Sequence, residues 1–170
     1  MLIWTGQQLS PDAPIYNMAF RFQFTGAIDV QLFQTAVTQL VESSDSLRSV
    51  IEMQDGIPFQ RVLDSVAFEP GFHDFSSHRD SLDFACQWCD QQCRKSFDIS
   101  KRMFDSSLLR INDDTHIWYL CIHHLISDAI AFQVALNRLN SIYTALIDKD
   151  NTLESLPAFP QFIDLSLIHI

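Results

Sequence analysis

Two adjacent histidines and a carboxylate four residues further on are the group in this chain best suited to chemistry: His123, His124 and Asp128. An imidazole can act as a base near neutral pH, and a carboxylate can order the loop around it. The preceding stretch Ile117–Ile122 is apolar on both faces, which predicts a strand buried in a sheet. Apolar residues then recur at helical spacing over 132–146. The histidines are therefore predicted to lie at a strand-to-helix junction, where side chains can face a cleft.

The elements that would hold this junction alternate between strands and helices. Met18, Phe20, Phe22 and Phe24 alternate with other residues, which predicts a half-buried strand. Further segments are predicted as a helix over 32–41, a hairpin of 47–53 and 59–63 turning at Asp55-Gly56, strands over 66–72 and 106–111, and a turn at 112–114. The predicted fold class is α/β, with a mixed sheet flanked by helices.

Metal chemistry is not favoured by the histidines or by the cysteines. Adjacent histidines point to different sides, whereas zinc helix motifs space their histidines four apart. Cys86, Cys89 and Cys93 fall on one face of a helix predicted over Leu82–Phe97, together with both ends of that segment. Small core residues explain this pattern without a metal, and Cys121, in the buried strand, is interpreted in the same way.

Composition is typical of one globular unit. The chain has 170 residues, 47% of them hydrophobic, and can bury a sizeable core. The net charge of -10 argues against nucleic acid or an anionic membrane as a partner. Neither a membrane-length apolar run nor an export signal is evident, so we expect a cytoplasmic protein with reduced thiols.

Nearly the whole chain resembles the N-terminal lobe of a condensation domain of nonribosomal peptide synthetases, within the chloramphenicol-acetyltransferase-like superfamily. The superfamily motif H-H-x-x-x-D-G is matched from His123 to Ala129. Other matches follow in the family's order, namely Trp4, Pro11-x-x-Pro14-x-Tyr16-Asn17, Phe24–Asp29, Leu47–Ile51, Phe97–Ser100, Phe104 and Leu108–Arg110. The resemblance assigns residues 1–150 to this lobe and residues 151–170 to a linker towards a second lobe that these 170 residues do not contain.

The resemblance also implies roles for particular residues. His124 would face the reaction channel as the base or as the group that positions the attacking amine. His123 would point into the lobe, and Asp128 would pair with an arginine, for which we expect Arg48. Ala129 would lie beside the substrate channel. Tyr16 and Asn17, which also match the family, would order the N-terminal segment.

By the same resemblance, the activity is amide formation between an acyl or peptidyl thioester and an aminoacyl thioester, both held on carrier proteins. The partners would be peptidyl or acyl carrier proteins and the second lobe, with neither nucleic acid nor membrane involved. No cofactor or metal would bind the chain itself, because phosphopantetheine belongs to the carriers. The isolated fragment is expected to be inactive.

Departures from the family pattern leave alternatives open. Ala129 replaces the motif's glycine, which adds a methyl group, and Ser43-Ser44 stands where the family has Arg-His. These differences favour a non-catalytic lobe that binds carrier proteins, while the intact His124 and Asp128 weigh against it. A transferase of the same superfamily acting on acyl-coenzyme A is the other enzyme considered. Ester formation and epimerisation use the same histidine and are not distinguished by the sequence.

Overall fold

A computed structural model describes residues 2–149. The elements follow one another as α1 (Leu2–Leu9), β1 (Asn17–Thr25), α2 (Val30–Glu42), β2 (Ser49–Gln54), β3 (Ile57–Val62), β4 (Gly71–Asp74), α3 (Ser81–Gln92), β5 (Phe104–Asn112), β6 (Thr115–His123) and α4 (Ala129–Asp148). The described residues form two compact units: a first unit of 2–30, 70–97 and 104–127, and a second unit of 31–69, 98–103 and 128–149. The predicted linker and tail, 151–170, lie outside the described residues.

The first unit is built on a four-stranded mixed sheet in the order β1-β6-β5-β4. Strand β6 pairs antiparallel with β1 and β5, while β4 pairs parallel with β5. Every residue of β6 from His116 to His123 is buried, as its unbroken apolar run predicted. One face of the sheet packs on α3 through a core of Ala85, Cys89, Leu109, Ile111, Ile117, Tyr119 and Cys121. The mixed sheet with flanking helices confirms the predicted fold class.

Helix α3 is shorter than predicted, and its buried face matches the predicted one only in part: Cys89 lies in the core and Cys93 and Phe97 pack against it. It ends at Gln92 instead of Phe97, and its buried residues are Ala85 and Cys89. Leu82 is exposed, and Cys86 and Cys93 are only half-buried, so the predicted common face is wrong in part. Burial raises the pKa of the Cys89 thiol to about 12, which keeps this sulfur protonated as a small apolar core group.

The structure differs from the predicted elements at the start of β4 and at α1. The strand predicted over 66–72 begins only at Gly71, directly after Pro70, which has no N–H to donate to a ladder. Helix α1 is not among the predicted elements: Leu2 and Leu9 are exposed whereas Gln7 is buried, so burial in this helix does not follow the apolar residues. Among residues 2–149, no helix combines the length and apolar character needed to cross a membrane.

The second unit contains α2, the β2–β3 hairpin and α4. The buried positions of α2 are Phe33, Ala36, Val37, Leu40 and Val41, which follow the helical spacing of the sequence. The hairpin turns at Asp55 and Gly56, both with positive φ (53° and 80°), as the two-residue turn predicted. Helix α4 buries Phe132, Ala135, Leu139 and Ile142, also at helical spacing.

Candidate active site

The two histidines of the motif lie where β6 ends and a tight turn begins, in the first unit. His123 is the last residue of β6, and His124 is the first residue of the turn. The backbone N–H of His124 donates to the carbonyl of Tyr16 at 2.9 Å, and that of Ile126 donates to the carbonyl of His123 at 3.1 Å. Ile126 is buried and anchors the turn by its side chain. The turn is therefore held at both ends by backbone hydrogen bonds.

The side chain of His124 is exposed and has one ring nitrogen engaged. Its Nδ1 lies 2.8 Å from the carbonyl oxygen of Ser127. A carbonyl only accepts hydrogen bonds, so the hydrogen-bond network assigns the proton of the neutral ring to Nδ1. Nε2 is then left with its lone pair. The turn thus selects the tautomer in which Nε2 can accept a proton from a reacting group.

The side chain of His123 has the opposite environment, with 2% of its surface exposed. The backbone N–H of Leu125 donates to its Nδ1 at 3.1 Å, and its Nε2 lies 3.1 Å from Oε1 of Gln7. Burial lowers the pKa of His123 to about 4, and the neighbouring His124 adds to this effect. His123 is therefore a neutral ring inside the first unit.

Tyr16 and Asn17 connect the segment before β1 with other parts of the first unit. The ring of Tyr16 lies 6.0 Å from that of His123, centroid to centroid, and its hydroxyl packs against Gly6 of α1 so closely that a side chain there would collide. The side-chain amide of Asn17 donates to the carbonyls of Cys93 and Lys95, each at 2.8 Å. Tyr16 thus lies against α1 and the His123 ring, and Asn17 bonds the chain that follows α3; their ordering of the N-terminal segment stays a prediction.

The ion pair expected between Arg48 and Asp128 is wrong, because the carboxylate that pairs with Arg48 in the structure is Asp45. In the second unit the guanidinium of Arg48 donates to Asp45 Oδ1 at 2.6 Å and to the carbonyl oxygens of Leu63 and Asp64. It therefore connects the turn before β2 with the chain after β3. Asp45 lies three residues before Arg48 and supplies a carboxylate locally, which displaces the longer-range pairing inferred from the resemblance.

Asp128 has a defined place at the start of α4, also in the second unit. It is the N-cap residue, and its carboxylate accepts a hydrogen bond from the backbone N–H of Ala131 at 2.9 Å. An N-cap acceptor satisfies a backbone donor that the helix itself leaves unpaired. Ala129 begins the helix; the surroundings of its side chain lie outside what the structure describes.

The serines that replace the family's Arg-His close the end of α2. The Ser43 hydroxyl donates to the carbonyl of Leu40 at 3.1 Å. The Ser44 side chain is buried and lies 3.1 Å from the Ser46 hydroxyl. Both serines therefore have local hydrogen-bond partners in a helix end. Within residues 2–149, no group of three or more His, Cys, Asp or Glu side chains is arranged to hold a metal ion.

Comparison with known proteins identifies the family. The model of the family described as "Condensation domain" matches residues 2–166, and the chain belongs to this family. The dimodular nonribosomal peptide synthase of Bacillus subtilis is 34% identical over 155 residues, which is 90% of this chain and 6% of that protein. The isonitrile lipopeptide synthase of Streptomyces coeruleorubidus is 32% identical over 148 residues, 85% of this chain and 10% of that protein.

Solved structures agree with this assignment. The starter condensation domain of rhizomide synthetase superimposes with a TM-score of 0.89 at 25% identity, covering 96% of this chain and 40% of that one. The chain therefore spans less than half of that solved domain and a small part of the relatives compared. The resemblance expected from the sequence is confirmed at the level of the family.

Proposed function

We propose that this chain is the N-terminal lobe of a condensation domain, over residues 1–150, and that residues 151–170 lead towards a second lobe. The complete domain would form an amide between two thioesters carried on the phosphopantetheine arms of peptidyl or acyl carrier proteins. Family membership and the 40% coverage of a solved condensation domain support this division. Within the lobe, His124 is the proposed catalytic residue.

The observation that carries the proposal is the hydrogen bond between His124 Nδ1 and the carbonyl of Ser127. It leaves Nε2 of an exposed imidazole as the proton acceptor. The amine nitrogen of the acceptor substrate attacks the thioester carbonyl carbon and forms the C–N bond. Nε2 takes a proton from this nitrogen, the C–S bond breaks, and the departing thiolate receives the proton. The products are an amide and a free phosphopantetheine thiol.

The test is His124→Ala in the complete domain, with both carriers loaded and the product measured by mass spectrometry in single turnovers. Loss of a general base typically slows a reaction by about 10²- to 10⁴-fold, and we expect a loss in this range. Because the side chain is exposed, the thermal midpoint should stay close to wild type. Unchanged turnover would show that His124 is not the general base, whereas absence of turnover in the wild-type domain would identify a lobe that binds carrier proteins without catalysis.

A second donor class has support from one solved structure. A starter condensation domain of rhizomide synthetase, in a single-substitution variant with C8-CoA bound, superimposes on this chain with a TM-score of 0.89 at 25% identity. We propose an acyl-coenzyme A as the alternative donor for this lobe. The same single-turnover assay separates the two, since equimolar acyl carrier protein and C8-CoA compete for one aminoacyl acceptor. The donor that acylates the acceptor faster is the one the domain uses.

A further inference from the structure

Gln7 is a buried polar side chain on a helix that otherwise has no buried residue. Only 4% of its surface is exposed, whereas its neighbour Gln8 is exposed to solvent. Its amide nitrogen faces the carbonyl oxygens of Pro11 at 2.9 Å, Ser10 at 3.3 Å and Ala13 at 3.4 Å. Carbonyl oxygens only accept hydrogen bonds, so the atom facing them must be the NH₂ group. The amide oxygen is then the atom that faces His123.

The protonation of the His123 ring follows from this orientation. Its Nδ1 accepts the backbone N–H of Leu125 and so carries no proton. The single proton of the neutral ring is on Nε2, which donates to Oε1 of Gln7 at 3.1 Å. One chain of hydrogen bonds therefore connects the segment after α1 with the amide of Gln7, the His123 ring and the backbone of the turn.

We propose that Gln7 is a positioning residue for the condensation reaction, fixing the tautomer and ring orientation of His123 and, through the Leu125 amide, the turn that presents His124. The proposal rests on the function proposed for His124. The hydrogen bonds of Gln7 are made to His123 and to the segment after α1, so any effect on His124 would pass through the turn. If the turn shifts, the distance from His124 Nε2 to the reacting amine changes, and misplacement by about 1 Å can cost about 10²-fold in rate.

Two substitutions separate the parts of this hydrogen-bond chain, and a third is the matched control. Gln7→Met keeps the length of the side chain but removes both the donor and the acceptor. Gln7→Glu keeps an acceptor for His123 and adds a negative charge that favours the imidazolium, which can no longer accept from the Leu125 N–H. Gln8→Met makes the same change as Gln7→Met at the exposed neighbouring position.

The first readout uses the full chain with ¹⁵N-labelled histidine and long-range ¹H–¹⁵N correlation spectra. Wild type and Gln8→Met should show a single Nε2–H tautomer at His123. Gln7→Met should show mixed tautomers at that ring, and Gln7→Glu should titrate His123 at higher pH than wild type. A single, unchanged Nε2–H tautomer in Gln7→Met would overturn the proposal, and if that variant does not fold, an unchanged His123 titration in Gln7→Glu would do so.

The second readout is turnover by the complete domain. Gln7→Met should lower kcat by up to about 10²-fold with little change in KM, and Gln7→Glu should recover rate as the pH rises. A lowered thermal midpoint with wild-type kcat and pH profile would reduce Gln7 to a structural residue and overturn the proposal. If His124→Ala keeps full turnover while the tautomers respond as expected at Gln7, the function proposed for His124 fails, and the hydrogen-bond chain stands without a catalytic role.

Discussion

His123 and His124 are neighbours in the chain but occupy opposite environments. The ring of His123 is enclosed, hydrogen-bonded at both nitrogens and held neutral by burial, which lowers its pKa to about 4. The ring of His124 is exposed and has Nδ1 bonded to a carbonyl within its own turn. The end of the strand explains the contrast, because His123 is the last residue of a strand that is buried on both faces, whereas His124 begins the exposed turn. One histidine can thus build the support on which the other is presented.

The exposed ring of His124 is oriented by the contacts of the turn to which it belongs. His124 has little packing of its own, so its orientation depends on the turn, which is tied to Tyr16 through a backbone hydrogen bond and to His123 through Leu125. Those contacts lead back to Gly6 and Gln7 of α1. A short helix with almost no core of its own therefore contributes to the candidate site.

The largest stability effect is expected from His123→Ala. This change leaves a cavity and removes partners from Gln7 Oε1 and from the Leu125 N–H, which together should lower the free energy of unfolding by about 3 kcal/mol. His124→Ala, as the control, should cost less than about 1 kcal/mol, because its ring is exposed. Chemical denaturation of the full chain measures both. Equal losses for the two variants would contradict the assigned orientation of the rings.

The pH dependence of stability is a second test of the buried environment assigned to His123. The pKa of His123 is about 4 in the folded chain, below the ordinary value of 6.5, so between these values the unfolded chain binds the extra proton. The stabilisation is complete above pH 6.5 and is lost as the pH falls towards 4, at about 1.4 kcal/mol per pH unit for this group. Burial lowers the pKa of His73 and His116 in the same direction, so the total slope has other contributors.

The contribution of His123 is isolated by comparing wild type with His123→Asn over that pH range. We expect a shallower loss of stability on acidification in the variant, measured by urea denaturation at closely spaced pH values. Parallel curves for the two proteins would mean that the pKa of His123 is the same in the folded and the unfolded chain.

Periodic elements could be predicted from the sequence, whereas the contacts that support the site could not. The apolar run of β6 indicates a strand buried on both faces, the spacing in α2 indicates which face of that helix is buried, and the Asp55-Gly56 pair indicates the turn of the hairpin. The contact between Gln7 and His123 joins residues 116 positions apart, and Gln7 cannot be told from Gln8 by type. Hydrogen-bond partners of polar side chains depend on which backbone groups the fold brings near, and this is not encoded in a local pattern.

Arg48 is a second example of a polar side chain whose partner could not be predicted from the sequence. Its predicted partner came from a family pattern, but its carboxylate partner in the structure is Asp45, three residues away. Both side chains of that pair are mostly buried, so Asp45 supplies the opposite charge locally, while the carbonyl oxygens of Leu63 and Asp64 accept further hydrogen bonds from Arg48. A resemblance transfers the identity of motif residues more safely than it transfers their partners.

The smallest loss in the free energy of unfolding is expected from Asp128→Ala. The size of this loss distinguishes two roles for the carboxylate. As the N-cap of α4, Asp128 accepts one backbone hydrogen bond, and losing such a cap costs about 1 kcal/mol. As the partner of a buried arginine its loss would cost about 3 kcal/mol or more. Asp128→Asn keeps a capping acceptor and should stay within a few tenths of a kcal/mol of wild type.

Asp45→Ala is the matched comparison for Asp128→Ala, because it removes the carboxylate that contacts Arg48 in the structure. Arg48 and Asp45 are only 17% and 15% exposed, so leaving the guanidinium without its carboxylate should cost about 2 kcal/mol, more than the loss of the cap. Urea denaturation of the three variants ranks them directly. A larger loss in Asp128→Ala than in Asp45→Ala would restore the long-range pair predicted from the sequence, whereas the reverse order would support Asp45 as the carboxylate that neutralises Arg48.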